Sequence, residues 1–143
     1  MEQSHSMQPI KAKAFTLLSK KSYFTKELRA KLLEKGYPEK DIEILIEELK
    51  TQNLLNDQEL AARYVKLQQA KGYGARVIIQ KLRQKAGPIE VEIEDGEVES
   101  LIRKKYLRKL PDDRNKVVAA LLRRGFSYDL INKALDLISE EME

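Results

Sequence analysis

The sequence predicts an all-α chain of tandem three-helix repeats, three units in all, forming an elongated curved solenoid. Three observations carry that expectation. Apolar residues recur at helical spacing almost from end to end, one long stretch repeats without a gap, and glycine or proline falls between the periodic segments rather than within them.

The elements follow in order. Pro9 suits a first helical position, where its missing N–H is no loss, and Ile10, Ala14, Leu17 and Leu18 then share a face. Thr25 is the expected N-cap of a second helix with Leu28, Leu32 and Leu33 inward, and Gly36 ends it, since glycine enters the left-handed region without a Cβ penalty. Pro38 opens a third helix whose Ile42, Leu45, Ile46 and Leu49 form a single buried stripe. Asn56 is placed to cap a fourth, with Leu60, Ala61, Tyr64 and Val65 inward, and Gly72-Tyr73-Gly74 breaks it. A fifth follows with Val77, Ile78 and Leu82 inward.

From Ile89 to Glu94 apolar and acidic residues alternate into Asp95-Gly96, the pattern of a strand entering a hairpin. A short irregular helical or extended segment is preferred, because a lone hairpin among helices has little to pack against. Helicity resumes with Val98, Leu101, Ile102 and Tyr106. After Pro111 two more helices are expected, one with Val117, Val118, Leu121 and Leu122 before Gly125, one with Ile131, Ala134, Leu135 and Ile138 after Ser127.

The stretch from Leu32 (LLEKGYPEKDIEILIEEL) aligns without a gap on that from Leu121 (LLRRGFSYDLINKALDLI), pairing Gly36 with Gly125 and Tyr37 with Phe126. A weaker copy from Leu82 sets Pro88 opposite Pro38 and Ala86 opposite Gly36. The expected division is therefore a disordered N-terminus at 1–8, a first unit at 9–53, a degenerate second unit at 54–96 and a third at 97–143. Units that cannot bury their stripes alone stack on their neighbours, which is the basis for expecting a solenoid.

Composition limits the chemistry. The 143 residues include one histidine, no cysteine and no tryptophan. Disulfides, thiolate nucleophiles and cysteine metal sites are thereby excluded. His5 lies in a polar N-terminal stretch with no partner for a triad or a metal site, and the acidic pairs Glu47-Glu48 and Glu140-Glu141 read as exposed helix ends. Gly72-Tyr73-Gly74 lacks the Gly-Lys-Ser/Thr of a phosphate cradle. No enzyme activity, catalytic residue, cofactor, metal or small-molecule substrate is expected. The longest apolar run, Val117 to Leu122, is far below the roughly 20 residues that span a bilayer, and the first ten residues have neither a basic nor an apolar region of a secretory signal. A cytoplasmic monomer that does not engage membranes is the expectation.

Charge is more informative. The chain holds 27 Lys and Arg against 23 Asp and Glu, a net +4, but residues 90–99 contain six acids and no base, leaving 27 bases against 17 acids elsewhere. From Arg63 to Lys85 there are seven bases and no acid, and five of the seven residues from Arg103 to Lys109 are basic. One-sign stripes of this kind suit a polyanionic partner, most often nucleic acid. The candidate binding residues are Lys66 and Lys71 on the fourth helix and Arg76, Lys81, Arg83 and Lys85 on the fifth. Lys104, Lys105 and Arg108 form a second cluster, and Arg123 with Arg124 a third, for which offsetting a helix dipole is the competing explanation. Donors at the helix start near Gly74-Ala75 suit a phosphate or carboxylate. Tyr73 beside them is positioned either to stack on a base or to plug a junction, and the plug is favoured because turn-flanking aromatics usually pack.

Four local patterns resemble one known family, the RecX regulators of the bacterial recombinase RecA: Leu28-x-x-x-Leu32-x-x-Lys35-Gly36, Leu55-Asn56-Asp57-x-x-x-Ala61-x-x-Tyr64-Val65, Tyr73-Gly74-Ala75-x-x-Ile78-x-x-Lys81-Leu82-Arg83-x-Lys85, and Leu121-Leu122-Arg123-Arg124-Gly125-Phe126. Their order and spacing, more than any one of them, carry the resemblance across residues 10–138. It implies an accessory protein that lies in the groove of the RecA–DNA filament, meets DNA through that filament, and restrains strand exchange, ATP hydrolysis and co-protease activity in DNA repair and the SOS response. Residues 87–105 are shorter than the family's usual stretch, and Ala86-Gly87-Pro88 stands where a plain Lys-Gly is expected, so a third helix in the second unit is not carried over. The competing expectations are a stand-alone DNA-binding regulator built on helix-turn-helix-like segments such as 25–50, and a scaffold that binds protein alone.

Overall fold

The computed structural model describes residues 7–94, 98–110 and 112–142. Eight helices run through them: α1 (Gln8–Lys20), α2 (Thr25–Glu34), α3 (Glu39–Thr51), α4 (Asp57–Ala70), α5 (Ala75–Ala86), α6 (Val98–Lys105), α7 (Arg114–Arg123) and α8 (Tyr128–Met142), with a 3-10 turn at Leu107–Lys109. The fold is all-helical, with no strand among the described residues. The alternating 89–94 stretch is neither helix nor strand, and no helix stands between Ala86 and Val98 among the residues described there. His5 and the Asp95-Gly96 turn lie outside the described residues, as do Pro111 and most of the 1–8 stretch.

The chain divides into two compact units, one comprising Met1–Ala62 with Arg83–Glu90 and the other Arg63–Leu82 with Val91–Glu143. In the first, α1, α2 and α3 enclose a core whose stripes match their helical spacing: Ile10, Ala14 and Leu17, then Leu28 and Leu32, then Ile42, Leu45, Ile46 and Leu49, closed by Leu55. Leu33, expected inward, is 45% exposed, because the stripe set by Leu28 and Leu32 already fills the inner face of α2. In the second unit α6, α7 and α8 bury Val98, Leu101, Ile102, Val117, Leu121, Ile131, Leu135 and Ile138 together with Phe126. On the remaining helices Ala61 and Val65 of α4 and Ile78 and Leu82 of α5 are buried, whereas Leu60 and Tyr64 are only partly so.

Helix ends follow their sequence signals with one substitution of roles. Asn56 caps α4 by accepting the Glu59 N–H at 3.1 Å, and Ser127 accepts the Leu130 N–H at the start of α8. Thr25 is not a cap but the first residue of α2. Its backbone N–H and its hydroxyl both donate to Asp57 Oδ1, at 2.9 and 3.1 Å, so the carboxylate that opens α4 serves the N-terminus of α2. The Phe24 N–H is answered locally by Glu27 at 3.0 Å. The Leu55-Asn56-Asp57 motif thus supplies a core residue and two caps in succession.

Three helices end on the same device, a base, a glycine at positive φ and an aromatic: Lys35-Gly36-Tyr37, Lys71-Gly72-Tyr73 and Arg124-Gly125-Phe126. In each the aromatic N–H returns to a carbonyl five residues back (Leu32, Gln68 and Leu121) and the glycine N–H to one three back, the Schellman pattern. Asn53, at φ 59°, closes α3 in the same way. In the weaker repeat the left-handed residue is Gly87, one position beyond the Ala86 that the alignment set opposite Gly36.

Gly36 and Gly125, equivalent in the repeat, differ in surroundings. A Cβ on Gly36 would meet nothing within 4 Å, whereas one on Gly125 would stand 2.6 Å from the Val77 amide nitrogen. Gly36→Ala should therefore cost only the left-handed strain, about 1–2 kcal/mol, and Gly125→Ala about 1–3 kcal/mol more through overpacking, a difference measurable by urea unfolding. Asp57→Ala should lower stability by about 1–2 kcal/mol. The same substitution should cost less in a Thr25→Ala background, where the hydroxyl bond is gone but the backbone N–H bond remains; equal losses in both backgrounds would mean that the hydroxyl bond contributes nothing.

Candidate functional site

The second unit holds the best candidate, and its geometry starts where α4 breaks. After Gly72 the chain turns and α5 begins against the end of α7. The Gly74 N–H donates to the Arg124 carbonyl at 2.7 Å, the Arg76 N–H to the Gly125 carbonyl at 3.2 Å, and the Arg76 guanidinium to the Leu122 carbonyl at 2.7 Å. The backbones touch: a Cβ on Gly74 would lie 2.6 Å from the Gly125 carbonyl carbon. The N-terminal end of α5 therefore meets the C-terminal end of α7, positive pole to negative pole. The Gly74 and Arg76 donors, expected to be open to an external anion, are used by the chain's own carbonyls.

This joint sorts the eleven candidate bases. Arg124 is structural: its Nε donates to the Tyr106 hydroxyl at 3.2 Å, and Nη1 reaches the carbonyls of Lys71 and Gly72 at 3.2 and 3.3 Å. It places positive charge on the carbonyl end of α4, where the helix dipole favours it. Lys81 lies over the Tyr73 ring, its Nζ 3.9 Å from the centroid, with the Arg124 guanidinium 5.8 Å away. Tyr73 is thus half-buried and engaged with two cations of its own chain. Lys85 pairs with Glu27 at 3.7 Å in the first unit.

Seven remain: Lys66, Lys71, Arg83, Lys104, Lys105, Arg108 and Arg123 are exposed, and none makes an ion pair among the described residues. Four of these converge. Lys66 and Lys71 from the end of α4 and Lys104 and Lys105 from the end of α6 line one open groove of about 390 Å3, together with Gln69, Ser100, Leu101 and Phe126. Arg83 on α5, Arg108 on the 3-10 turn and Arg123 at the end of α7 do not line it.

Two neighbouring acids, Glu99 and Glu141, are held by another base. On α6 itself Arg103 takes Glu99 at 3.5 Å and Glu141 of α8 at 2.7 Å. Those two acids are thereby engaged, and neither pairs with Lys104 or Lys105. The Glu94 carbonyl accepts from Gln69 Nε2 at 2.8 Å, and among the described residues no carboxylate lines the cavity. Gln69 and Ser100 were not singled out from sequence. Their signal is helical phase, Gln69 three residues after Lys66 and Ser100 four before Lys104. Among the described residues no cluster of histidine and carboxylate side chains is arranged to hold a metal ion, and no helix is long and apolar enough to cross a membrane.

Residues 11–49 match the family described as RecX, first three-helix domain, and residues 98–135 match RecX, third three-helix domain. The regulatory protein RecX of Clostridium perfringens strain 13 is 38% identical over 128 residues, covering 78% of this chain, which spans only 60% of that relative's length. The regulatory protein RecX of Haemophilus ducreyi is 31% identical over 139 residues, covering 89% of this chain and 92% of the relative. The crystal structure of RecX from Lactobacillus salivarius superposes with a TM-score of 0.76 at 24% identity, over 93% of this chain and 96% of the other, and so shares the fold.

The contrast between adjacent arginines is testable. Arg124→Gln should lower the stability of the folded chain by about 2 kcal/mol, since several carbonyl and hydroxyl partners lose a charged donor. Arg123→Gln, one residue away and exposed, should stay within about 0.5 kcal/mol of the parent in the same thermal or urea unfolding measurement.

Proposed function

Since the chain belongs to the RecX family of regulatory proteins, we propose that it binds the RecA–DNA filament and restrains it, lowering recombinase, ATPase and co-protease activity by occupying the filament groove rather than by chemistry of its own. The relatives named above are regulatory proteins, and this chain spans one of them nearly end to end. The observation that carries the reading is the separation of charge in the second unit. Bases needed for the fold are bonded to carbonyls and rings, while the lysines of α4 and α6 are left unpaired among the described residues and gathered on one groove. Unpaired cations held on rigid helices suit a repetitive polyanionic partner, because their alignment costs little further ordering on binding.

In this reading the first unit, with its own three-helix core, and the second, with its lysine groove, offer separate surfaces to the filament. The chain acts by position, holding protomers or DNA against the rearrangement that turnover requires. A cytoplasmic setting follows from that partner.

Adding the full chain to RecA polymerised on single-stranded DNA should reduce ATP turnover in proportion to occupancy and shorten filaments seen by electron microscopy. Unchanged turnover and filament length at saturating, independently verified binding would reject restraint. Absence of any binding to the filament would reject the partner itself.

A further inference from the structure

We propose that copies of this chain associate head to tail, the start of α7 in one copy docking on the C-terminal turn of α2 in the next. The inference stands apart from the filament reading and rests on a contact that the chain already makes twice, once inside each of its units. At the start of α2 the second residue, Lys26, donates from Nζ to the Gln84 carbonyl at 3.2 Å, and the third, Glu27, pairs with Lys85 at 3.7 Å. Gln84 and Lys85 stand three and two residues before Gly87, the left-handed glycine that follows α5. At the start of α5 the second residue, Arg76, donates to the Leu122 carbonyl at 2.7 Å, again three residues before a left-handed glycine, Gly125. In both places a base at the second position of one helix reaches a carbonyl in the last turn of another, positive pole to negative pole.

The series leaves one acceptor end and one donor end unmatched. The last turn of α2 is the repeat equivalent of the α7 turn, yet a Cβ on Gly36 would meet nothing within 4 Å and Leu33 is 45% exposed. Glu34 and Lys35 are exposed, and among the described residues the Lys35 and Gly36 carbonyls accept no hydrogen bond. The start of α7 is the donor end. Asp113 makes no side-chain bond to the first turn, and Asn115 and Lys116, at the second and third positions, are exposed. The charges match with their signs exchanged: Glu27 at a third position faces Lys85, and Lys116 at a third position would face Glu34, two residues before Gly36. Asn115 Nδ2 then takes the place of the Lys26 ammonium, on the Leu33 carbonyl. Asp113 stands where α5 has Gly74, whose backbone touches Gly125, so the copies cannot approach that closely and side chains make the contact, as they do for α2 on α5. A second copy is the occupant because it carries the complementary end, and a heterologous contact of this kind lets copies add in a row. One helix end is a small interface, so the dilute chain stays monomeric and association belongs to high local concentration.

Sedimentation velocity of the full chain over a concentration series, with no recombinase or DNA, reads the association. Four samples are compared: the parent, Glu34→Lys, Lys116→Glu, and an equimolar mixture of the two variants. Circular dichroism confirms that each is folded. The parent's weight-average sedimentation coefficient should rise with concentration and fall back with added salt. Each variant alone sets like charges against one another and should associate about fivefold more weakly, as an exposed pair turns from attraction to repulsion. The mixture should recover parent-like association, because the α7 start of either variant again meets an opposite charge on the other. The two changes shift net charge in opposite directions, so general repulsion cannot weaken both. A parent that stays monomeric up to millimolar concentration, variants that associate like the parent, or a mixture no better than its components would each overturn the contact. ATP turnover of RecA filaments decides the regulatory reading separately, so either can fail while the other stands.

Discussion

The carbonyls that a helix leaves unbonded at its C-terminus set the terms for this chain. Each turn must answer them, and here the answer is repeated: a left-handed residue at Gly36, Asn53, Gly72 or Gly125 folds the following N–H back onto the helix. In the second unit that is not enough, because the end of α7 is pressed against the start of α5 and the end of α4 lies beneath the α7 turn. There Arg76 and Arg124 supply further donors to carbonyls 46 and 53 residues away in sequence. The joint between α4, α5 and α7 depends on these two arginines, and so does the placement of the groove beside it.

Structural and functional electrostatics are thereby divided within one basic stripe. The bases with short reach to a helix end, or to an aromatic ring, are consumed in holding the fold. Those on the outer turns of α4 and α6 are left over. Arginine takes the carbonyl positions, where its planar fork can serve two acceptors at once, and lysine takes the groove, where a mobile point charge is adequate. The Glu94 carbonyl accepts from Gln69, and among the described residues no carboxylate stands in the lining.

Much of this was legible in the sequence, for physical reasons. Stripes such as Ile42, Leu45, Ile46 and Leu49 declare their inner face because helical phase is a local property, and the caps Asn56 and Ser127 act on an N–H three residues away. The role of Asp57 was hidden because its partner, Thr25, is 32 residues distant, and Thr25 looked like a cap because it stands one residue from where a cap belongs. The candidate bases were legible only as a set. Which of them bind carbonyls, which cover a ring and which remain unpaired depends on tertiary neighbours, so neither the structural part of Arg124 nor the convergence of Lys66 with Lys104 carries any pattern along the chain. Likewise the repeat made Gly36 and Gly125 look alike, since sequence records the turn but not the Val77 amide packed on it.

The contact of Gly74 with Gly125 also has a bearing on time. The first three helices can close their core from contiguous chain, with short loops and little entropy to overcome. The end of α4 and most of α5 belong to a unit whose remaining residues begin only at Val91, and the seam that receives them is made by Arg124, Gly125 and Phe126. During synthesis the N-terminal bundle has its full core as soon as Leu55 is available, whereas the segment bearing Tyr73 and Gly74 must wait for about 50 further residues before its docking partner exists. During synthesis the joint beside which the lysines gather can therefore close only after the chain of the N-terminal bundle is complete.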